Sequence, residues 1–388
     1  MIKTILRSAA SLAIVASSVI LASCGNGGDA GNSGKPAAIR VGSLNSMTGL
    51  NSTFGQSSDK GVRLAAEERN KAGGVLGRQV EVFTADTESS PQKTPQAMLK
   101  LIETDKVVAV LGEVASSRSL AAAPVAQRSK VPLLSPASTN PTVTQVGDYV
   151  FRSCFTDDFQ GVLIAKFTAE NLKFKRAALL VDVKNDYSTG LAKVLETTFP
   201  KLGGEIVARE NYGAGDTNFK TQLTNLKNAN PDIIFLPGYY TEIAVICQQA
   251  RELGMTMPFI GGDGWDSDVT LKVGGKAVEG CYFTNHYYSG DTDPRVQEFV
   301  KKYKARHNGE TPDAMAVLAY DAANILFAAI ERAGSTEGPK LRDAIGQTKN
   351  FAGVTGDITI DEQRNARKPG VVLKIENGQF TMATRVNP

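Results

Sequence analysis

The chain has 388 residues, 42% hydrophobic and 21% charged, with a formal net charge of +3. That length exceeds one ordinary core and points to about two to three domains of ordinary globular composition. Residues 1–23 carry Lys3 and Arg7 and no acid, so the rest is nearly neutral at +1 and shows no basic stripe, which argues against nucleic acid as a partner.

Met1–Arg7 is positively charged, Ser8–Ile20 is mostly apolar, and Leu21-Ala22-Ser23-Cys24 follows. This is the layout of an export signal. The apolar run falls short of the about 20 residues that cross a bilayer. Its end resembles the lipobox of bacterial lipoproteins, which implies a lipid on Cys24. Gly25–Gly34 is too polar and glycine-rich to fold and reads as a tether. No later segment is read as a membrane span.

From Ile39 the chain alternates short apolar runs with longer amphipathic ones. Strands are expected at Ile39–Leu44, Val80–Ala85, Val107–Leu111 and Leu133-Leu134. Helices are expected at Ser58–Asn70, Gln92–Thr104 and Ser117–Arg128. The pattern then restarts, with helices at Gln160–Asn171, Ser188–Leu202, Phe219–Asn228 and Glu242–Leu253. Its strands are Ala177–Val183, Glu205–Arg209, Ile233–Leu236, Pro258–Ile260 and Ala277–Phe283. Helices Arg295–His307, Ala314–Arg332 and Pro339–Ile345 follow, then strands Ile358–Ile360, Val371–Ile375 and Gln379–Met382, the last after a turn at Asn377-Gly378. The reading is α/β, with two parallel sheets covered by helices.

Two histidines, His286 and His307, are too few for a multi-histidine metal site, and no HExxH, GxxxxGK[ST], GxSxG or CxxC occurs. No catalytic residue, metal or cofactor is expected. The informative residues lie at the carboxyl ends of strands, where open α/β sheets bind ligands. Gly112-Glu113-Val114-Ala115-Ser116-Ser117-Arg118-Ser119 leads into a helix whose free N–H groups suit a carboxylate, although Ser116 or Ser117 serves equally as an N-cap. Ser135–Pro141 is a second hydroxyl-rich loop at the same edge. Asp186-Tyr187-Ser188, Gly238-Tyr239-Tyr240 and Gly261–Asp266 add aromatics and carboxylates, suited to an apolar side chain and an ammonium. Trp265, the single tryptophan, is either pocket wall or core.

At these residues the chain resembles the periplasmic leucine/isoleucine/valine-binding proteins, substrate-binding proteins of ABC importers. The motifs are Val41-Gly42 through Met47-Thr48-Gly49 with Phe54-Gly55, Glu68-Arg69-Asn70-Lys71-Ala72-Gly73-Gly74, and Gly112 through Ser117. Ser135 through Pro141, Phe151-Arg152, Asp186-Tyr187 and Gly238-Tyr239 complete them. The resemblance implies a type I periplasmic binding (Venus-flytrap) fold: two doubly wound parallel-sheet lobes joined by a three-crossing hinge. The crossings would fall near Arg152–Thr156, Phe283–Tyr287 and Ala352–Asp357. Lobe I would be residues 37–154 and 284–352, and lobe II 155–283 and 353–388, behind a signal peptide 1–23 and a tether 24–36.

It further implies a ligand carboxylate on Ser116 and Thr139, and an ammonium on the Ala137 carbonyl and Asp263. Phe54, Ala115, Ser138, Tyr187, Tyr239 and Trp265 would wall the pocket. Asp263 stands where branched-chain binders usually carry glutamate. Cys154 and Cys281 both lie beside crossings, which makes them a candidate disulfide. The implied function is extracytoplasmic binding of an aliphatic, branched-chain L-amino acid by hinge closure, with no cofactor. The ligand would be delivered to an ABC transporter membrane permease by a lipid-anchored monomer. The same fold holding an amide, urea or aromatic acid, or serving a signalling receptor, is the alternative. An enzyme is disfavoured by the scarcity of histidine.

Overall fold

The computed structural model describes residues 36–387. The expected export signal and Cys24, the expected lipidation site, lie outside the described residues. β1 (Ile39–Asn45), α1 (Ser52–Lys71), β2 (Val80–Asp86), α2 (Thr94–Leu99), β3 (Ala109–Gly112), α3 (Ser116–Ser129), β4 (Leu133–Ser135) and β5 (Val150–Arg152) build a first sheet. It is parallel throughout, in the order β2-β1-β3-β4-β5. Every residue of β3 is buried, as a strand covered by helices on both faces requires.

The unit repeats with α4 (Asp157–Lys166), β6 (Arg176–Asp182), α5 (Asp186–Thr198), β7 (Glu205–Tyr212), α6 (Lys220–Asn228), β8 (Ile233–Phe235), α7 (Tyr240–Glu252), β9 (Phe259–Gly261), α8 (Asp268–Gly274) and β10 (Tyr282–Asn285). These strands are parallel in the order β7-β6-β8-β9-β10. Both sheets therefore place their first strand second. The strand order reverses between β1 and β3 and again between β6 and β8, and such a switch opens a crevice at the carboxyl ends.

The chain then returns to the first sheet with α9 (Pro294–Arg306), α10 (Ala314–Ala333) and α11 (Gly338–Gly346). Helix α10 is long and apolar enough to cross a membrane, contrary to the expectation that no later segment would be. Most of its side chains are buried instead, Ala314–Leu318 beside Phe54 and those from Ala319 onward in the cluster that holds Val41, Val62 and Leu111. It crosses α1 so closely that a Cβ on Gly61 would lie 2.0 Å from the Ala316 carbonyl oxygen.

A small antiparallel sheet follows, of β11 (Phe351–Gly353), β12 (Gly356–Ile360) and β13 (Ala366–Arg367). β14 (Gly370–Glu376) and β15 (Gln379–Val386) then extend the second sheet antiparallel to β10. Asn377 and Gly378 both take positive φ in their tight turn, as the sequence indicated.

The chain passes between the sheets after β5, after β10 and after β13. The third passage was expected at Ala352–Asp357 and lies later, at Lys368-Pro369, so the 352/353 boundary moves with it. Ile358, Ile360 and Ala366 pack in the first sheet's core cluster. Asp321 of α10 pins the intervening turn by accepting from the Val354 and Thr355 amides at 2.9 and 3.0 Å.

The strand expected at Ala277–Phe283 begins only at Tyr282, because Gly275–Val278 is a 3-10 turn. Helix α8 before it was not foreseen; Ser267 caps it by accepting from the Val269 amide. Cys154, Cys247 and Cys281 are free and buried, so the candidate Cys154–Cys281 disulfide is not formed. Cys154 lies with Phe54 and Met315, whereas Cys281 lies with Cys247 under the second sheet.

Replacing Gly61 with alanine should push α1 off α10. A loss of about 1–3 kcal/mol is expected for such overpacking, read as a lower midpoint in denaturant unfolding with an unchanged m-value.

Candidate functional site

The carboxyl edges of the two sheets face each other across one small cavity. From the first sheet it is lined by Phe54, Val114, Ser116, Ala137 and Thr139, together with Met315 of α10. Tyr187, Tyr239, Asp263 and Gly264 line it from the second, and its free volume is only about 10 Å³. That is far below the roughly 300–1,000 Å³ of open ligand sites, as two walls already closed on each other require. Wider clefts elsewhere are bordered by exposed side chains such as Lys272 and Lys304.

The first-sheet wall begins at Gly112. Its φ of 119° and a Cβ position 1.9 Å from the Leu44 carbonyl oxygen admit only glycine. The turn it makes buries Glu113. That carboxylate accepts from Ser46 Oγ at 2.6 Å, Thr87 Oγ1 at 2.9 Å and the Ala115 amide at 2.9 Å, and it lies 3.0 Å from Arg118 Nε. The Glu113 carbonyl accepts from the hydroxyls of Ser119, Ser135 and Ser138 at 2.9, 2.7 and 3.0 Å.

Helix α3 then starts with no side-chain cap. Its first N–H groups lack intrahelical partners and carry the positive end of the helix dipole. Ser116 does not act as N-cap; its Oγ accepts from the Asn140 amide at 3.2 Å. Ser117 Oγ accepts from the Asp186 amide of the second half at 3.0 Å.

The second wall carries the opposite charge. Asp263 follows β9 and is 3% exposed. Gln160 Nε2 donates to its Oδ1 at 3.2 Å, and His286 Nε2 lies 3.0 Å from its Oδ2. Gln160 also donates to Asp157 Oδ1 at 2.6 Å, so one amide bridges two buried carboxylates. Burial pushes the Asp157 carboxyl up to about 7; the Asp263 charge adds to this, against hydrogen bonding from Thr139 and Gln160. Tyr187 donates no bond to the cavity wall; its OH accepts from the Gly264 amide at 3.2 Å, and its ring stacks on Tyr239 at 5.2 Å. Burial raises both phenols, so they stay neutral.

The two walls are in direct contact. Tyr240 donates to the Leu50 carbonyl at 3.0 Å, and Asn140 Nδ2 donates to the Asp186 carbonyl at 2.7 Å. The Ala314 amide, at the start of α10, donates to Asp266 Oδ2 at 2.6 Å. Phe54 meets Tyr239 and Tyr240 edge-on, at 6.0 and 4.7 Å between ring centroids. The cavity is thus shut, with one end rich in donors and the other bearing a carboxylate.

Of the residues named from the sequence, Ser116, Ala137, Thr139, Asp263, Phe54, Tyr187 and Tyr239 meet at this cavity. Ala115 sits just before α3, and Ser138 turns its hydroxyl into the support beneath. Trp265 is not a wall. It is fully buried in the core of the second sheet, donates from Nε1 to the Leu236 carbonyl at 3.0 Å and stacks on Phe283. Val114, Met315, Glu113, Gln160 and His286 were missed. Only the single acid inside a hydroxyl-rich loop, at Glu113, hinted at any of them.

A family model described as periplasmic binding protein matches residues 38–379. A leucine binding protein from Thermotoga maritima is 42% identical, with a TM-score of 0.87 over 90% of this chain and 99% of that one. A branched-chain amino acid transporter substrate binding protein from Streptococcus pneumoniae, solved in complex with isoleucine, is 33% identical; the TM-score is 0.85 over 90% of this chain and 100% of that one. A solute binding protein of an ABC transporter from Rhodopseudomonas palustris, in complex with 3,4-dihydroxybenzoic acid, is 26% identical; its TM-score is 0.82 over 90% and 97%.

Two outcomes are expected from substitution. Trp265→Phe strands the Leu236 carbonyl and should cost about 1–3 kcal/mol of stability, while leaving ligand preference unchanged in a thermal-shift panel. Asp157 holds its proton in the folded state up to about pH 7, against an ordinary value of 3.8. Its contribution to stability is therefore complete below the ordinary value and is lost as pH rises through 7. Asp157→Asn removes that loss, so its melting temperature relative to the parent should rise between pH 4 and pH 7 and level off above.

Proposed function

The chain belongs to the family of periplasmic binding proteins, and on that premise we propose that it captures an aliphatic, branched-chain L-amino acid outside the cytoplasm for an ABC importer. The reading is carried by one observation: an uncapped helix N-terminus with hydroxyls and a buried carboxylate face each other across a single shut cavity. The ligand carboxylate would sit on the first turn of α3 with Ser116 and Thr139. The ammonium would sit between Asp263 and the Ala137 carbonyl. Phe54, Val114, Met315, Tyr187 and Tyr239 would enclose an apolar side chain.

Both charged ends lose water on closure, and each must be matched to avoid a penalty of several kcal/mol. The amino-acid head is therefore read strictly. The side chain is read loosely, since one methylene is worth about 1–3 kcal/mol. Closure follows from ligand contacts made to both walls only in the shut form. An aromatic acid, as the Rhodopseudomonas neighbour holds, would match the α3 end but leave Asp263 against a ring with no counter-charge. The export signal and Cys24 would place the clamp on a membrane by a lipid tether, next to its permease.

Thermal unfolding of refolded, ligand-stripped protein against the twenty amino acids and 3,4-dihydroxybenzoate tests this. Leucine, isoleucine or valine at a hundred times its Kd should stabilise by about 2.7 kcal/mol. Asp263→Asn should weaken that ligand by about 2–5 kcal/mol, at least about 30-fold. A flat response to all amino acids, or unchanged affinity in Asp263→Asn, would remove the ligand assignment.

A further inference from the structure

We infer that His286 is a positioning residue for the ligand ammonium: it orients the Asp263 carboxylate toward the cavity through a neutral N–H, without supplying a counter-charge of its own. The inference rests on the amino-acid reading above and deepens it.

The ring's protonation follows from its surroundings. Nε2 faces a carboxylate oxygen, which can only accept, so Nε2 carries a hydrogen. Nδ1 is buried and has no hydrogen-bond partner among the described residues. An imidazolium would therefore strand a second N–H there. The ring lies flat on Phe155, with centroids 3.7 Å apart. Lys368, itself 1% exposed, adds a like charge. Burial first, and Lys368 after it, hold the imidazole down to about 4 against the pull of Asp263. At neutral pH the partner of Asp263 is thus a neutral donor.

The other groups around the pair are fixed as well. Gln160 Oε1 accepts from the Asp263 amide at 3.3 Å and from Thr284 Oγ1 at 2.9 Å. Those donors leave its Nε2 to face Asp157 and Asp263 and settle the amide orientation. Asn285 Oδ1 accepts the His286 amide at 2.8 Å. Each oxygen of Asp263 so receives one neutral hydrogen bond and keeps a lone pair. A lysine or arginine in place of His286 would cancel the charge; an apolar residue would leave this short side chain free to swing.

The support also reaches the hinge. Phe155 lies in the first passage between the sheets, His286 follows β10 in the second, and Lys368 forms the third. All three passages converge on the group that holds Asp263.

The test is calorimetric titration with leucine at pH 7.5. His286→Gln keeps a neutral N–H donor and should bind within about fivefold of the parent. His286→Phe keeps a flat ring without the donor and should bind at least tenfold more weakly. Added to Asp263→Asn, His286→Phe should cost nothing further. Parent-like binding by His286→Phe, or an equal loss in the Asp263→Asn background, would overturn the inference.

A second measurement needs no disruptive change. Between pH 6 and pH 4 the parent should lose leucine affinity more steeply than His286→Gln, because an imidazolium would neutralise Asp263. Superimposable profiles would contradict the proposal. A parent that binds no amino acid removes the amino-acid reading and this inference together; a parent that binds while His286→Phe binds equally removes the inference alone.

Discussion

The buried residue Glu113 is the constraint on which the first wall depends. Its carboxylate gathers the segments after β1, β2 and β3 through Ser46, Thr87 and the Ala115 amide, with Arg118 of α3 as counter-charge. Its carbonyl gathers three further hydroxyls, two of them from the segment at and after β4. A buried carboxylate is tolerated only when its oxygens are fully engaged. The loops that supply those partners are thereby locked in place. Because alanine, with no side-chain acceptor, stands at the N-cap position, the first N–H groups of α3 stay uncapped at the cavity.

The second wall follows a complementary logic. Glu113 is held by an arginine and is satisfied, whereas Asp263 is held only by neutral donors. A satisfied anion makes a scaffold; an oriented but uncompensated one makes a site for a cation. Glu113 underlies the first wall, whereas Asp263 lines the cavity itself. A ligand bearing both charges relieves the donor-rich end and the carboxylate at once, and neither wall alone can do both. On the proposed function, closure of the hinge would follow from binding.

Much of this was legible in the sequence because it is local. Continuous apolar runs such as Ile233–Leu236 marked buried strands, and hydroxyl-rich segments after them marked the edge that holds the cavity. What failed was long-range. Trp265 stands beside Asp263 in the chain, yet its ring turns under the sheet to find the Leu236 carbonyl, a partner 29 residues away. The third passage was misplaced because the turn before β12 is held by Asp321 of α10, and Ile358 and Ile360 pack in the first core, partners distant in the chain. His286 looked unremarkable, since its meaning depends on Asp263, Phe155 and Lys368, which only the fold assembles. Cys154 and Cys281 were paired by their nearness to passages, but they belong to different cores.

The most direct measurement compares leucine with its two halves by isothermal titration of the ligand-stripped protein. 4-Methylpentanoate keeps the carboxylate and side chain; 3-methylbutylamine keeps the ammonium and side chain. The account requires leucine to bind and each half to bind at least about 30-fold more weakly, because either leaves one buried wall unmatched. If 4-methylpentanoate bound as tightly as leucine, Asp263 would have no cation to hold, and the two-walled site would be the wrong description.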